Sequence, residues 1–184
     1  MAEQVVRIES SASNPVFTQP PTAATGLLYT TLITEVAGVN AANNYLSIFN
    51  PVGSGKIFTF YQFTAFPYAG AAATNSQSIN VFRTTAASGG TLVAAANINK
   101  FDTTQANAIA EVRTGNPTTT NGTIPVLSIP PAITSAGAGV GGSSVIVPPA
   151  GASFICRPGE GVVVRSAAMD VDELLDLGFT WSEL

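Results

Sequence analysis

The chain has 184 residues, with seven basic and eleven acidic side chains, no His and one Cys. That length suits one domain with an added arm. The lack of His excludes Ser-His-Asp and Cys-His catalysis and His metal ligands within one chain, and a lone Cys forms neither an internal disulfide nor a thiolate zinc site.

Charged residues make up only 10% of the chain, against about 25% in an average globular protein. The surface must therefore be covered largely by Thr, Ser, Asn, Gln and Ala. So little charge favours a subunit buried in an assembly over a compact monomer. The charge is also uneven: Asp170, Asp172, Glu173, Asp176 and Glu183 form an acidic end. That end either meets a basic surface on a partner or is a solvated edge. No basic stripe exists, so nucleic-acid binding through phosphates is not expected. Residues 1–13 lack an apolar h-region, so no secretory signal is expected. No run of about 18 apolar residues occurs, so no membrane span is expected.

In chain order, residues 1–25 read as an extended arm, because Asn14-Pro15 and Pro20-Pro21 oppose a helix. Val5, Val6, Ile8, Val16 and Phe17 are its candidate anchors. Residues 26–184 read as the β domain. From Gly26, Leu27, Tyr29, Thr31 and Ile33 alternate with Leu28, Thr30, Leu32 and Thr34, a β-branched strand with apolar groups on both faces. Tyr45–Phe49 is a short strand closed by Asn50-Pro51 and the Gly53-Ser54-Gly55 turn. In Ile57–Phe66, Phe58 and Phe60 fall on one face, with Tyr61 and Phe63 on the other. Either a bulge switches the face near Phe60, or a neighbour or the arm covers both faces.

Ile79–Thr85 and Thr91–Ala96 read as a strand pair joined through residues 86–90. Ala106–Thr114 is a further strand. Residues 115–144 read as long surface loops around a short strand at Ile124–Ile129. Val145–Val147 and Ser153–Cys156 are short strands. Arg157-Pro158-Gly159-Glu160 fits a type II turn, and Gly161–Arg165 a β-branched strand. Leu175, Leu177, Phe179 and Trp181 alternate with Asp176, Gly178, Thr180 and Ser182, a closing strand, although Asp172–Leu177 alone fits a helical turn. The sum is an all-β fold, a β-sandwich or jelly roll with an extended N-terminal arm.

The chemistry is mostly excluded. GSGK at 53–56 lacks the upstream Gly and the following Ser or Thr of a phosphate loop, and it leads into a strand. Asp170, Asp172 and Glu173 lack the ligand spacing of an EF-hand. A glycosidase pair could be drawn from Asp102, Glu111 or Glu160, but any β-protein offers such carboxylates and spacing does not bring these together. Tyr61, Tyr68 and Trp181 would serve as a sugar platform only if core packing did not claim them.

The segment Asn50-Pro51-Val52-Gly53-Ser54-Gly55-Lys56 entering an aromatic strand, with the following VFRTTAASGGT, resembles a pattern in structural proteins of tailed bacteriophages. PPAGASFICRPGEGVVVRSAA, ahead of Phe179-Thr180-Trp181, resembles the same group. The resemblance covers residues 45–97 and 148–184. It implies a β-sandwich subunit, often trimeric, and the size suits a capsid decoration, or cement, protein. The expectation is thus a non-enzymatic homotrimer on the phage head surface, made in the host cytoplasm, whose partner is the major capsid protein. No cofactor, metal, small-molecule substrate, nucleic acid or membrane is expected. Its interface candidates are the arm anchors with Tyr61, Phe63, Asp170, Asp172 and Glu173. The alternative is a tail or fibre-head module that recognises host surface glycans.

Overall fold

The computed structural model describes residues 27–69, 78–129, 144–146 and 154–184; the arm and its five anchors lie outside them. The strands are β1 (Leu27–Ala37), β2 (Asn43–Phe49), β3 (Phe58–Ala69), β4 (Ile79–Ser88), β5 (Thr91–Leu92), β6 (Asn99–Lys100), β7 (Glu111–Thr114), β8 (Thr118–Asn121), β9 (Leu127–Ile129), β10 (Ser144–Ile146), β11 (Phe154–Cys156), β12 (Gly161–Ser166) and β13 (Glu173–Glu183). One turn of 3-10 helix occupies Ala95–Asn97. The fold is all-β, in two antiparallel sheets. Sheet A runs β10-β3-β13-β1-β6 with β11 also on β3; sheet B runs β5-β7-β2-β12-β4-β8 with β9 also on β4. One core, drawn from both sheets, fills the space between them, as in a sandwich.

Strand β13 is the centre of sheet A. Its alternation places Leu175, Leu177, Phe179 and Trp181 in the core, all nearly inaccessible. No helical turn precedes it; Glu173 N–H donates to Asp170 O in a turn, and the strand starts there. On one side Tyr29 pairs with Trp181 and Thr31 with Phe179. On the other, Phe63 pairs with Phe179 and Phe60 with Trp181. The register slips between Trp181 and Thr180, so Tyr61 has no opposite number. That bulge answers the question posed by the aromatic run. Phe58 and Phe60 face the core before it and Phe63 and Ala65 after it. The second cover over sheet A, which the alternation of Phe60, Tyr61 and Phe63 left open, is not needed to bury these rings. Phe60 sits 5.5 Å from Phe179 and Phe63 4.7 Å from the same ring, offset and edge-on geometries that aromatic pairs favour.

Sheet B curls. Strands β4 and β5 do not form the expected pair; β5 pairs β7, and β4 lies between β12 and β8. The chain bends at Gly89 (φ 61°) and Gly90 (φ 59°), and again at Gly115 (φ 66°) and Asn116 (φ 61°). Those left-handed conformations suit Gly and tolerate Asn. Through the two bends, β4 continues into β5 and β7 into β8, so the two make one bent ribbon. Since β7 also pairs β2, β2 pairs β12 and β12 pairs β4, the hydrogen-bonded path returns on itself as a half-barrel. Residues 118–121 are therefore strand, where a surface loop was expected. Of Ala106–Thr114, only the last four residues are strand.

Two buried polar side chains tie the loops to this frame. Asn50 is fully buried. Its Nδ2 donates to Lys56 O (2.8 Å) and Cys156 O (3.2 Å), while its Oδ1 accepts from Ser54 Oγ (2.6 Å). Its main chain accepts from Gly159 N–H and donates to Glu160 O. Asn50 thus clamps the VGSGK turn to the Arg157–Glu160 turn, which has Gly159 at φ 86° as a type II turn requires. The second is Glu183, whose carboxylate accepts from Ile109 N–H (2.9 Å), Ala110 N–H (3.0 Å) and Trp181 Nε1 (3.3 Å). It anchors the segment after β6 to the end of sheet A.

Candidate interaction surface

The outer face of sheet A follows from the same alternation. Across the sheet its rows are Ile57–Leu184, then Thr59–Ser182–Leu28, then Gln62–Thr180–Thr30, then Thr64–Gly178–Leu32, then Phe66–Asp176. Over the first four rows there is no charged side chain. Ile57, Leu184 and Leu32 are exposed at 43%, 42% and 55%. Leu32 leans over Gly178, where a Cβ would stand 3.3 Å from Leu32 Cδ1. Hydroxyls are spent within the face: Thr30 Oγ1 donates to Phe179 O, Thr180 Oγ1 donates to Thr30 Oγ1, and Tyr61 Oη lies 3.1 Å from Ser182 Oγ. A face with satisfied hydroxyls, exposed aliphatics and no charge loses little on leaving water. Phe101, 62% exposed, extends this apolar margin; its N–H donates to Leu28 O.

The expected interface residues scatter. Tyr61 is on this face and 39% exposed. Phe63 is 2% exposed against Phe179, so it is core and offers nothing to a partner. Glu173 is also buried at 2%, which removes it from any exposed acidic edge. Asp172 is exposed and Asp170 half-buried, and Asp170 Oδ1 accepts from Asp172 N–H in a local turn. Leu28, Leu32, Ile57 and Leu184, none of them singled out from the sequence as an interface residue, also stand on this face; for Leu28 and Leu32 the signal was the apolar character of both faces of β1.

The candidate chemical residues are each engaged locally. Asp102 accepts from Thr104 Oγ1 and N–H, and these bonds hold its carboxyl below the usual range. Glu111 pairs with Arg113 at 2.9 Å. Glu160 accepts from Arg157 N–H and lies 3.8 Å from Arg83, whose guanidinium stacks 4.3 Å over the Phe154 ring. Trp181 is core, not a sugar platform, and the Tyr68 side chain lies outside the described residues. Burial pushes the Cys156 thiol up to about 12, so it stays protonated and unreactive at neutral pH. Burial, then the negative Glu183, raises Tyr29. Among the described residues no group of three or more His, Cys, Asp or Glu could hold a metal ion.

Among the described residues, a concave polar cleft of about 320 Å³ opens in sheet B where the bent ribbon passes β2 and β12, lined by Asn44, Asn116, Thr118, Thr119, Asn121 and Arg165 among others. Asn44 Nδ2 donates to Pro117 O and Thr119 Oγ1, which fixes the ribbon to β2. No protein-family model, curated protein or solved structure matches the chain.

Proposed function

We propose that this chain is a non-enzymatic virion structural protein: a capsid decoration subunit that binds the outer surface of an assembled phage head as a homotrimer and bridges neighbouring major capsid subunits. The observation that carries the reading is the uncharged outer face of sheet A with Ile57, Leu32, Tyr61 and Leu184 exposed on it. An interface core is depleted in charge and enriched in Tyr and other large apolar groups, and this face has that composition. The engagement of Asp102, Glu111 and Glu160 in turns and ion pairs supports a non-catalytic role. The phage resemblance of the Asn50–Lys56 and Arg157–Gly161 segments adds the virion setting. Consecutive strands that repeatedly change sheet fit the jelly-roll form of the sandwich, which belongs to the same proposal.

The mechanism is mass action. A subunit that binds only the assembled shell stabilises it by RT ln(1 + [L]/Kd), about 2.7 kcal/mol at a hundredfold excess over Kd. A density map of the intact particle tests the reading. Copies that follow the capsid lattice are expected; copies found only at the tail overturn it in favour of host-surface recognition.

A further inference from the structure

We infer that residues 10–26 of one copy lie across the outer face of sheet A of a second copy, so that the oligomer is held by arm exchange. Three observations carry this. First, the face and the segment match in kind. Between Glu9 and Glu35 the sequence has no charged residue, and Val16 and Phe17 are its large apolar groups. The four uncharged rows of sheet A present Ile57, Leu28, Tyr61 and Leu32 to receive them. Neither side has to strip a charge of water on contact. Second, the chain leaves at the right place. Leu27 pairs with Glu183, next to Ile57–Leu184, the first row of the face. Third, strand β1 runs from the first row toward the fourth, so residues before Leu27 of the same chain would have to reverse direction to cover those rows. Pro20-Pro21 favours extended chain instead. The 26 residues before Leu27 reach up to about 85 Å when extended, enough to span a neighbouring subunit.

Such a contact joins two different patches, arm to face. It is heterologous, and a closing rotation makes it a ring. This inference rests on the same uncharged face that carries the proposed function and assigns it to the contact between copies; the particle map tests where copies bind, and the experiments below test only how copies join.

The full chain and two variants test it by light scattering after size exclusion, each variant checked for an unchanged unfolding transition. The full chain is expected to be an oligomer. A chain beginning at Thr25 is expected to be a monomer, and so is Leu32→Glu, which puts a charge on an exposed position of the face. Mixing these two monomers is expected to restore a two-chain species, because one keeps the face and the other the arm. A full chain that is monomeric, an oligomer that survives loss of residues 1–24, or a mixture that stays monomeric overturns the inference. A Phe17→Cys, Leu32→Cys double variant separates the remaining case: on oxidation, bands of two or more chains support exchange, and a crosslink within one chain refutes it.

Discussion

Replacing Asn50 by Asp changes one NH2 group to an oxygen and nothing else in shape. In the native fold that NH2 donates to the Lys56 and Cys156 carbonyls, the second of them in a fully buried contact. Asp puts a carboxylate oxygen 2.8 Å and 3.2 Å from two carbonyl oxygens. Two bonds of about 1 kcal/mol each are lost, and a buried acceptor is left without a donor at about 1–3 kcal/mol. The total for Asn50→Asp at pH 7 is about 4 kcal/mol, before any cost of burying the charge. Asn50→Ala loses these two bonds and the one its Oδ1 accepts from Ser54 Oγ, without the repulsion, at about 3 kcal/mol. For a domain of this size that lowers Tm by about 10 °C. Calorimetry and urea unfolding at pH 7 and pH 4 would measure both. Because the fold opposes ionisation of the new carboxyl, its folded pKa must exceed the unfolded value. The Asp variant should therefore recover stability as pH falls through that folded value, and the Ala variant should not. An Asp variant as stable as the parent at pH 7, or one with no differential recovery in acid, would refute the clamp as described.

The remaining perturbations probe other joints of the structure. Glu183→Gln turns an amide toward an N–H that its carboxylate now accepts, Ile109 N–H at 2.9 Å, and should cost about 2 kcal/mol by urea midpoint. Gly90→Ala adds a Cβ that would stand 2.3 Å from Thr114 O at φ 59°; a loss above about 2 kcal/mol is expected. Gly53→Ala has the same kind of φ but open space around it, so about 1 kcal/mol should suffice, and equal costs for the two would contradict the packing account. Cys156, raised from 9.0 to about 12, leaves stability unaffected below pH 9. Above that the unfolded chain ionises first, and stability falls by up to about 1.4 kcal/mol per pH unit. Cys156→Ala should remove that component of the alkaline slope in pH-resolved denaturation.

Local rules read the local features well. The Pro158-Gly159 turn and the period-two run from Leu175 to Trp181 needed only neighbours in sequence, and both formed as read. Where the partner strand decides, the sequence left alternatives open, as with a bulge near Phe60, or pointed to the wrong partner. Tyr61 is a bulge because β13 holds Trp181 opposite Phe60 and Thr180 opposite Gln62, a choice made some 120 residues away. Gly89-Gly90 carries a strong turn signal and does turn. It bends one long ribbon rather than closing a hairpin, since β5 finds β7 instead of β4. Strand β1 has apolar residues on both faces, so alternation could not say that Tyr29 goes in and Leu32 stays out. Glu173 and Glu183 looked like members of a solvated acidic edge. Their burial, and for Glu183 the backbone donors of the Ile109 loop, have no local signature. The polar cleft is equally non-local: Asn44 meets Arg165 across the β2–β12 ladder, and the curl of sheet B adds Asn121 to the same lining.

The middle strand of sheet A is also synthesised long after the two strands it joins. β13 zips between β1 and β3, yet Glu173 follows Ala37 by 136 positions, 37 to 173. At ~5–20 residues per second on the ribosome, β1 waits roughly 7–27 s for its only extensive partner. During that interval the nascent chain must carry Leu27, Tyr29, Phe60 and Phe63 without their hydrogen-bonding mate. Sheet closure is then a late, long-range event that waits for β13, and until that strand emerges the apolar faces of β1 and β3 lack their central partner.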